Sequence, residues 1–107
     1  MNTDVMHGRF AIIFTESMID RIRLLTSLEG EVEKIIVDVH GLTCKGAERF
    51  INNIVNVTRG CCTVEVIHGY QHGTRIKEML RQKFKNPSIK EIVGDKWNLG
   101  VTYLRPA

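Results

Sequence analysis

The chain is 107 residues long, enough for one hydrophobic core and too short for a second beside it. Its 43% hydrophobic and 25% charged content is that of an ordinary globular domain, which excludes fibrous and disordered classes, and no apolar run approaches the roughly 20 residues that cross a bilayer. A net charge of +3, from 15 Lys and Arg against 12 Asp and Glu, permits a phosphate-bearing partner without demanding one.

The opening residues, Met1-Asn2-Thr3-Asp4, lack the basic start, apolar centre and small-residue cleavage site of a signal peptide, so a cytoplasmic setting is expected. Cys44, Cys61 and Cys62 make an odd count with two adjacent, which leaves no disulfide framework and no C-x-x-C pair. Buried or idle thiols in a reducing compartment are expected.

In chain order, apolar residues from Phe10 to Phe14 lead into Thr15, Glu16 and Ser17, and then Met18, Ile22 and Leu25 recur at i, i+4 and i+7. That spacing predicts an amphipathic helix ending near Gly30, a lid or brace on a sheet or else a dimer contact. Residues 1–32 thus read as an N-terminal extension, and 33–107 as the main domain. Residues 33–40 read as the first strand, the run Ile35, Ile36, Val37 and Val39 being of the kind expected when both faces are covered. From 43 to about 58, Ala47, Phe50, Ile51, Ile54 and Val55 follow a helical stripe with Gly60 as its stop. A second strand, 63–68, completes a βαβ unit. Thr74 then caps a helix to about 84 with Ile76, Met79, Leu80 and Phe84 inward, and Asn86-Pro87 breaks it. Strands at 89–93 and 101–104 pair as a hairpin across 94–98. The expected fold class is α/β, a two-layer sandwich with an N-terminal helix, then βαβαββ and a mixed four-stranded sheet. Trp97, in the hairpin turn, reads as a hydrophobic plug for the sheet edge, with a stacking platform as the alternative.

The chemistry concentrates where two strands end. In Val37-Asp38-Val39-His40-Gly41-Leu42-Thr43, Asp38 and His40 share a strand face, roughly 7 Å apart along the backbone. Gly41 frees the turn, and Thr43 can accept from the first amides of the next helix, beside a potential anion site. Val66-Ile67-His68-Gly69 repeats the pattern. If these strands are parallel neighbours, Asp38, His40 and His68 converge, with helix starts at Thr43 and Thr74 supplying donors for a phosphate. A neutral His can take a proton from a nucleophile and a carboxylate can orient it. The plainer reading keeps His40 and Asp38 as strand-end and turn-capping groups, and His68-Gly69 as a βα turn. Tyr70 can stack on a base or pack on the turn. Lys45, Arg49, Arg75 and Lys77 fall on or near the two helices that begin beside the histidines, as binding residues or as solvated faces.

These residues resemble a family. Val37-Asp38-Val39-His40-Gly41-Leu42-Thr43, the helix with Ala47, Val66-Ile67-His68-Gly69 with Gly73, and the closing Gly100-Val101-Thr102-Tyr103-Leu104 are similar to the small MutS-related (Smr) domain, from about Glu33 to Arg105. The resemblance implies a sandwich like the C-terminal domain of translation initiation factor three. It also implies nucleic-acid binding and, in many members, endonuclease activity on DNA or RNA, including messenger RNA on ribosomes. Asp38 and His40 match the family's Asp-x-His motif, and His68 and Gly69 open its His-Gly-x-Gly motif. Gln71 stands where that motif has its second glycine, unless the loop is one residue longer and Gly73 takes the place.

The leading expectation is therefore a standalone Smr-like endonuclease acting on RNA or DNA, in ribosome-associated quality control or in DNA repair and recombination. Asp38, His40 and His68 carry catalysis in it. Gly41, Thr43, Lys45, Arg49, Gly69, Tyr70, Gly73, Thr74, Arg75 and Lys77 carry binding. If a divalent ion such as Mg or Mn takes part, Asp38 becomes its ligand. The alternatives are a nucleic-acid or ribosome-binding module without cleavage, and a zinc site from His40, His68, His72 and Cys44, for which the chain has no metal-ligand spacing.

Overall fold

The computed structural model describes residues 1–71 and 73–107; the reading of His72 as a zinc ligand lies outside them. Among the described residues the order is α1 (Thr3–Ile13), α2 (Glu16–Ile19), β1 (Ile22–Thr26), β2 (Val32–Asp38), α3 (Cys44–Thr58), β3 (Thr63–Ile67), α4 (Arg75–Gln82), β4 (Ile89–Gly94) and β5 (Val101–Pro106). The strands form one mixed sheet in the order β1-β2-β3-β5-β4, with β2 and β3 parallel and the other pairs antiparallel. From β2 onward this is the expected βαβαββ chain.

The register explains the layers. Ile35 lies opposite Val64 and Val64 opposite Leu104, and all three are buried on the helical side with Val37 and Val66. Against them α3 sets its stripe of Ala47, Phe50, Ile51, Ile54 and Val55, and α4 adds Met79 and Leu80, with Phe84 just beyond its end. Each of the larger of these side chains, Ala47 excepted, contributes about 1.5–3 kcal/mol by leaving water. The other face of the sheet carries the Lys34–Glu65 ion pair (2.9 Å) and Tyr103, whose hydroxyl donates to Asp95 (2.6 Å). Accepting that bond holds the Asp95 carboxyl low and pushes the Tyr103 hydroxyl up to about 12. The expectation that β2 is covered on both faces is thereby corrected: Ile36, turned to this second face, is only half-buried.

The N-terminal third departs from the sequence reading. Residues 22–26 are not helical; they are a fifth, edge strand, with Ile22 opposite Val37 and Leu24 opposite Ile35. Ile22 and Leu24 alternate with the exposed Arg23 and Leu25, a period-two pattern that also satisfies the i, i+4 spacing from Met18. Pairing with the backbone edge of β2 decides between the two. Gly30, at a φ of 84°, turns this hairpin rather than ending a helix. The N-terminal helix lies earlier, over Thr3–Ile13, where Asn2 caps the Asp4 and Val5 amides. Met6 and Phe10 are fully buried, Phe14 meets Phe50 edge-on at 5.1 Å, and Arg9 donates to the Val57 carbonyl. Residues 1–32 thus share the core of the rest of the chain.

Candidate functional site

β2 ends at Asp38, and the chain turns at Gly41 (φ 80°) into α3, where Thr43 accepts from the Gly46 amide at 3.0 Å. Within this turn His40 Nδ1 lies 2.5 Å from Asp38 Oδ1, and the same oxygen accepts from the His40 amide at 3.1 Å. A carboxylate can only accept, so Nδ1 carries a proton, and in the neutral ring the free lone pair is on Nε2. The His40 side chain is 68% exposed. The sequence offered no reason to look to Arg21, yet its Nη1 donates to the carbonyls of both Asp38 and His40 at 3.1 Å, holding the turn from the start of β1.

The second strand end is arranged differently. His68 is 7% exposed; its Nδ1 donates to the Gly69 carbonyl (2.7 Å) and its Nε2 meets Thr102 Oγ1 (2.9 Å). Burial, joined by the nearby Lys77 and Arg81 charges, holds this imidazole below its ordinary range, against the opposing pull of the Gly69 bond. Both nitrogens of His68, expected from the sequence to hold a phosphate, are thus engaged within the fold, while the residue itself lines the cleft between the two strand-end turns. Gly69, at a φ of 75°, lies close to the first turn, and a carbon side chain there would sit 4.0 Å from His40 Cβ. Gly100 O accepts from the His68 and Gly69 amides (2.9 and 3.1 Å), tying the loop to the start of β5.

Between the two turns opens a cleft of about 860 Å³. His40, Gly41, Thr43 and Cys44 line one side, His68, Gly69, Tyr70, Gln71 and Gly73 the other, and Arg75 and Lys77 of α4 supply positive charge. Cys44 Sγ reaches the Arg75 carbonyl at 3.7 Å, so the starts of α3 and α4 adjoin. Lys45 and Arg49 do not line this cleft. They border a separate groove of about 320 Å³ with Lys85 and Glu48. Thr74 stands at the N-cap of α4 as expected, but its side chain makes no cap bond to an amide; its hydroxyl donates to Glu78 at 3.0 Å. Trp97, expected as an edge plug, is 92% exposed. Among the described residues no three His, Cys, Asp or Glu side chains gather as metal ligands.

No protein-family model and no curated protein matches the chain. Among solved structures it is similar to the Smr domain of Thermus thermophilus MutS2, with 24% identity, a TM-score of 0.55, and coverage of 67% of this chain and 96% of that one. Two strand-end turns facing one cleft, on a mixed sheet backed by helices, are thus carried on the fold of the Smr domain.

Proposed function

We propose that this Smr-like domain binds nucleic acid in the cleft between its two strand-end turns and breaks a phosphodiester bond there. The observation that carries the reading is the Asp38–His40 pair: an exposed imidazole, fixed in one tautomer by a carboxylate, in a cleft that Arg75 and Lys77 also line. On RNA, Nε2 takes the 2′-hydroxyl proton, the 2′ oxygen attacks phosphorus, and the bond to the 5′ oxygen breaks. The departing 5′ oxygen draws its proton from solvent, since His68 is closed off. Arg75, Lys77 and the start of α3 balance the charge on the phosphorane oxygens. On DNA a water replaces the 2′-hydroxyl. Where a divalent ion takes part, Asp38 is the side chain that would ligate it. His68 acts as a positioning residue that holds the Gly69 loop against β5. Messenger RNA at ribosomes and DNA in repair or recombination are the settings this reading allows. A cytoplasmic location suits the three free thiols, and among the described residues no helix is long and apolar enough to cross a membrane.

The test is incubation of labelled single- and double-stranded RNA and DNA with wild type and with the Asp38→Ala/His40→Ala double variant. Cleavage by wild type alone is expected; equal turnover by the double variant removes the catalytic claim. The internal bonding of His68 favours one second reading, binding without cleavage, in which Arg75 and Lys77, with Lys45 and Arg49 across α3, carry affinity. Binding would then weaken steeply with salt.

A further inference from the structure

The hairpin joining β4 to β5 carries the chain's single tryptophan, and it is left in water: Trp97 is 92% exposed and Leu99 57%. Isolated apolar residues on a surface are ordinary, but an indole of this size on a braced turn beside a candidate site is a different matter. Asp95 Oδ1 accepts from the Trp97 and Asn98 amides, both at 2.8 Å, while its Oδ2 accepts from the Tyr103 hydroxyl. Asn98 Oδ1 accepts from the Gly100 amide at 2.9 Å, and the Asp95 amide donates to the Val101 carbonyl. The turn is therefore ordered before any ligand arrives, so a contact with the indole costs little more than two side-chain torsions.

The turn is also fastened to the cleft. Gly100, three residues after Trp97, accepts from the His68 and Gly69 amides, and Gly69 lines the cleft next to Tyr70, itself 51% exposed. Three residues of chain span at most about 10 Å, so the Trp97 backbone lies within that distance of Gly100. A polyanion whose phosphates meet Arg75 and Lys77 would bring its neighbouring nucleotides to this hairpin, where Lys96 adds a further positive charge.

We infer that Trp97 is a stacking platform for an unpaired nucleobase, and that the cleft therefore selects single-stranded or locally unpaired nucleic acid. In a duplex both faces of each base are covered by its neighbours, so only a splayed base can meet the indole. The inference rests on the proposed nucleic-acid binding and adds the class of substrate.

Trp97 being the single tryptophan, its emission reports this turn and nothing else. The 107-residue chain is titrated with a uniform single-stranded oligonucleotide and with a blunt duplex of the same length, and Trp97→Ala and Trp97→Phe are compared by retention. Single strands are expected to quench the emission with the same midpoint as retention. Trp97→Ala should weaken single-strand binding by about five-fold to a hundred-fold, the range typical of one base–aromatic stack. Duplex binding should change less than two-fold, and Trp97→Phe should recover most of the loss. Tight single-strand binding with unchanged emission and an unaffected Trp97→Ala overturns the stacking role while leaving nucleic-acid binding intact. Equal losses on duplex and single strand overturn the selectivity. No retention of either nucleic acid by wild type overturns both readings, and an emission shift with anionic lipid vesicles alone assigns the indole to a membrane surface instead.

Discussion

The two strand ends begin with the same local sequence, an apolar strand, a histidine and a glycine, and finish with opposite fates. At the end of β2 the imidazole is exposed, held by Asp38 two residues earlier, with Arg21 bracing the turn from outside. At the end of β3, the central strand, β5 runs alongside, and Thr102 and Gly100 draw His68 and its loop inward. A histidine with an acceptor on its own strand face can turn to solvent; one without it finds partners in the neighbouring strand. In the proposed reaction the first takes the proton, and the second holds a loop.

The comparison breaks most sharply on substitution of the two histidines. His40→Ala should lower cleavage by about 10²–10⁴-fold, the worth of a general base, while unfolding in urea shifts by less than about 0.5 kcal/mol. His68→Ala should do the reverse first, costing about 1–3 kcal/mol of stability by stranding Thr102 and emptying a buried space. A swapped pattern would reverse the assignment. Gly100→Val tests the loop anchor: a side-chain carbon there would lie 3.1 Å from Gly69 Cα, and overpacking of backbone costs about 1–3 kcal/mol. Denaturation showing no loss would mean that the His68 loop is free to move. Arg21→Met removes two bonds to the His40 turn and should cost about 1 kcal/mol, with cleavage falling by more than the stability change accounts for. Loss in stability alone would reduce Arg21 to a surface brace.

The smallest effect is on pH. Burial holds folded His68 below its ordinary value of 6.5, so on acidification the unfolded chain takes up that proton first. The stabilisation is present in full above the unfolded value and is lost as pH falls through the folded one. Melting between about pH 7.5 and about pH 5 should therefore decline more steeply for wild type than for His68→Gln, whose side chain does not titrate. Parallel declines would place the titration elsewhere.

How much was legible varies along the chain. The stripe of α3 and the β3 alternation are dense enough to identify their elements without context, and period two alone puts Asp38 and His40 on one face. The stretch from Met18 to Leu25 fits both periods, and its strand form depends on the free edge of β2, which no local pattern announces. Arg21 lies 17 residues before Asp38, and Thr102 lies 34 after His68; contacts of that range leave no trace in spacing. Gly100-Val101-Thr102 did stand among the residues that carry the family resemblance, which was a signal for the partner of His68.

By itself the sequence determined the βαβαββ order, the shared face of Asp38 and His40, and the Thr43 cap, because each follows from backbone period or from a side chain acting within a few residues. Only the tertiary structure decided that residues 22–26 join the sheet, that His68 faces inward, that Lys45 and Arg49 serve a different groove from Arg75 and Lys77, and that Trp97 stands in water. Each of these depends on which segments become neighbours, and that is settled by pairing strand edges and burying apolar faces across the whole chain.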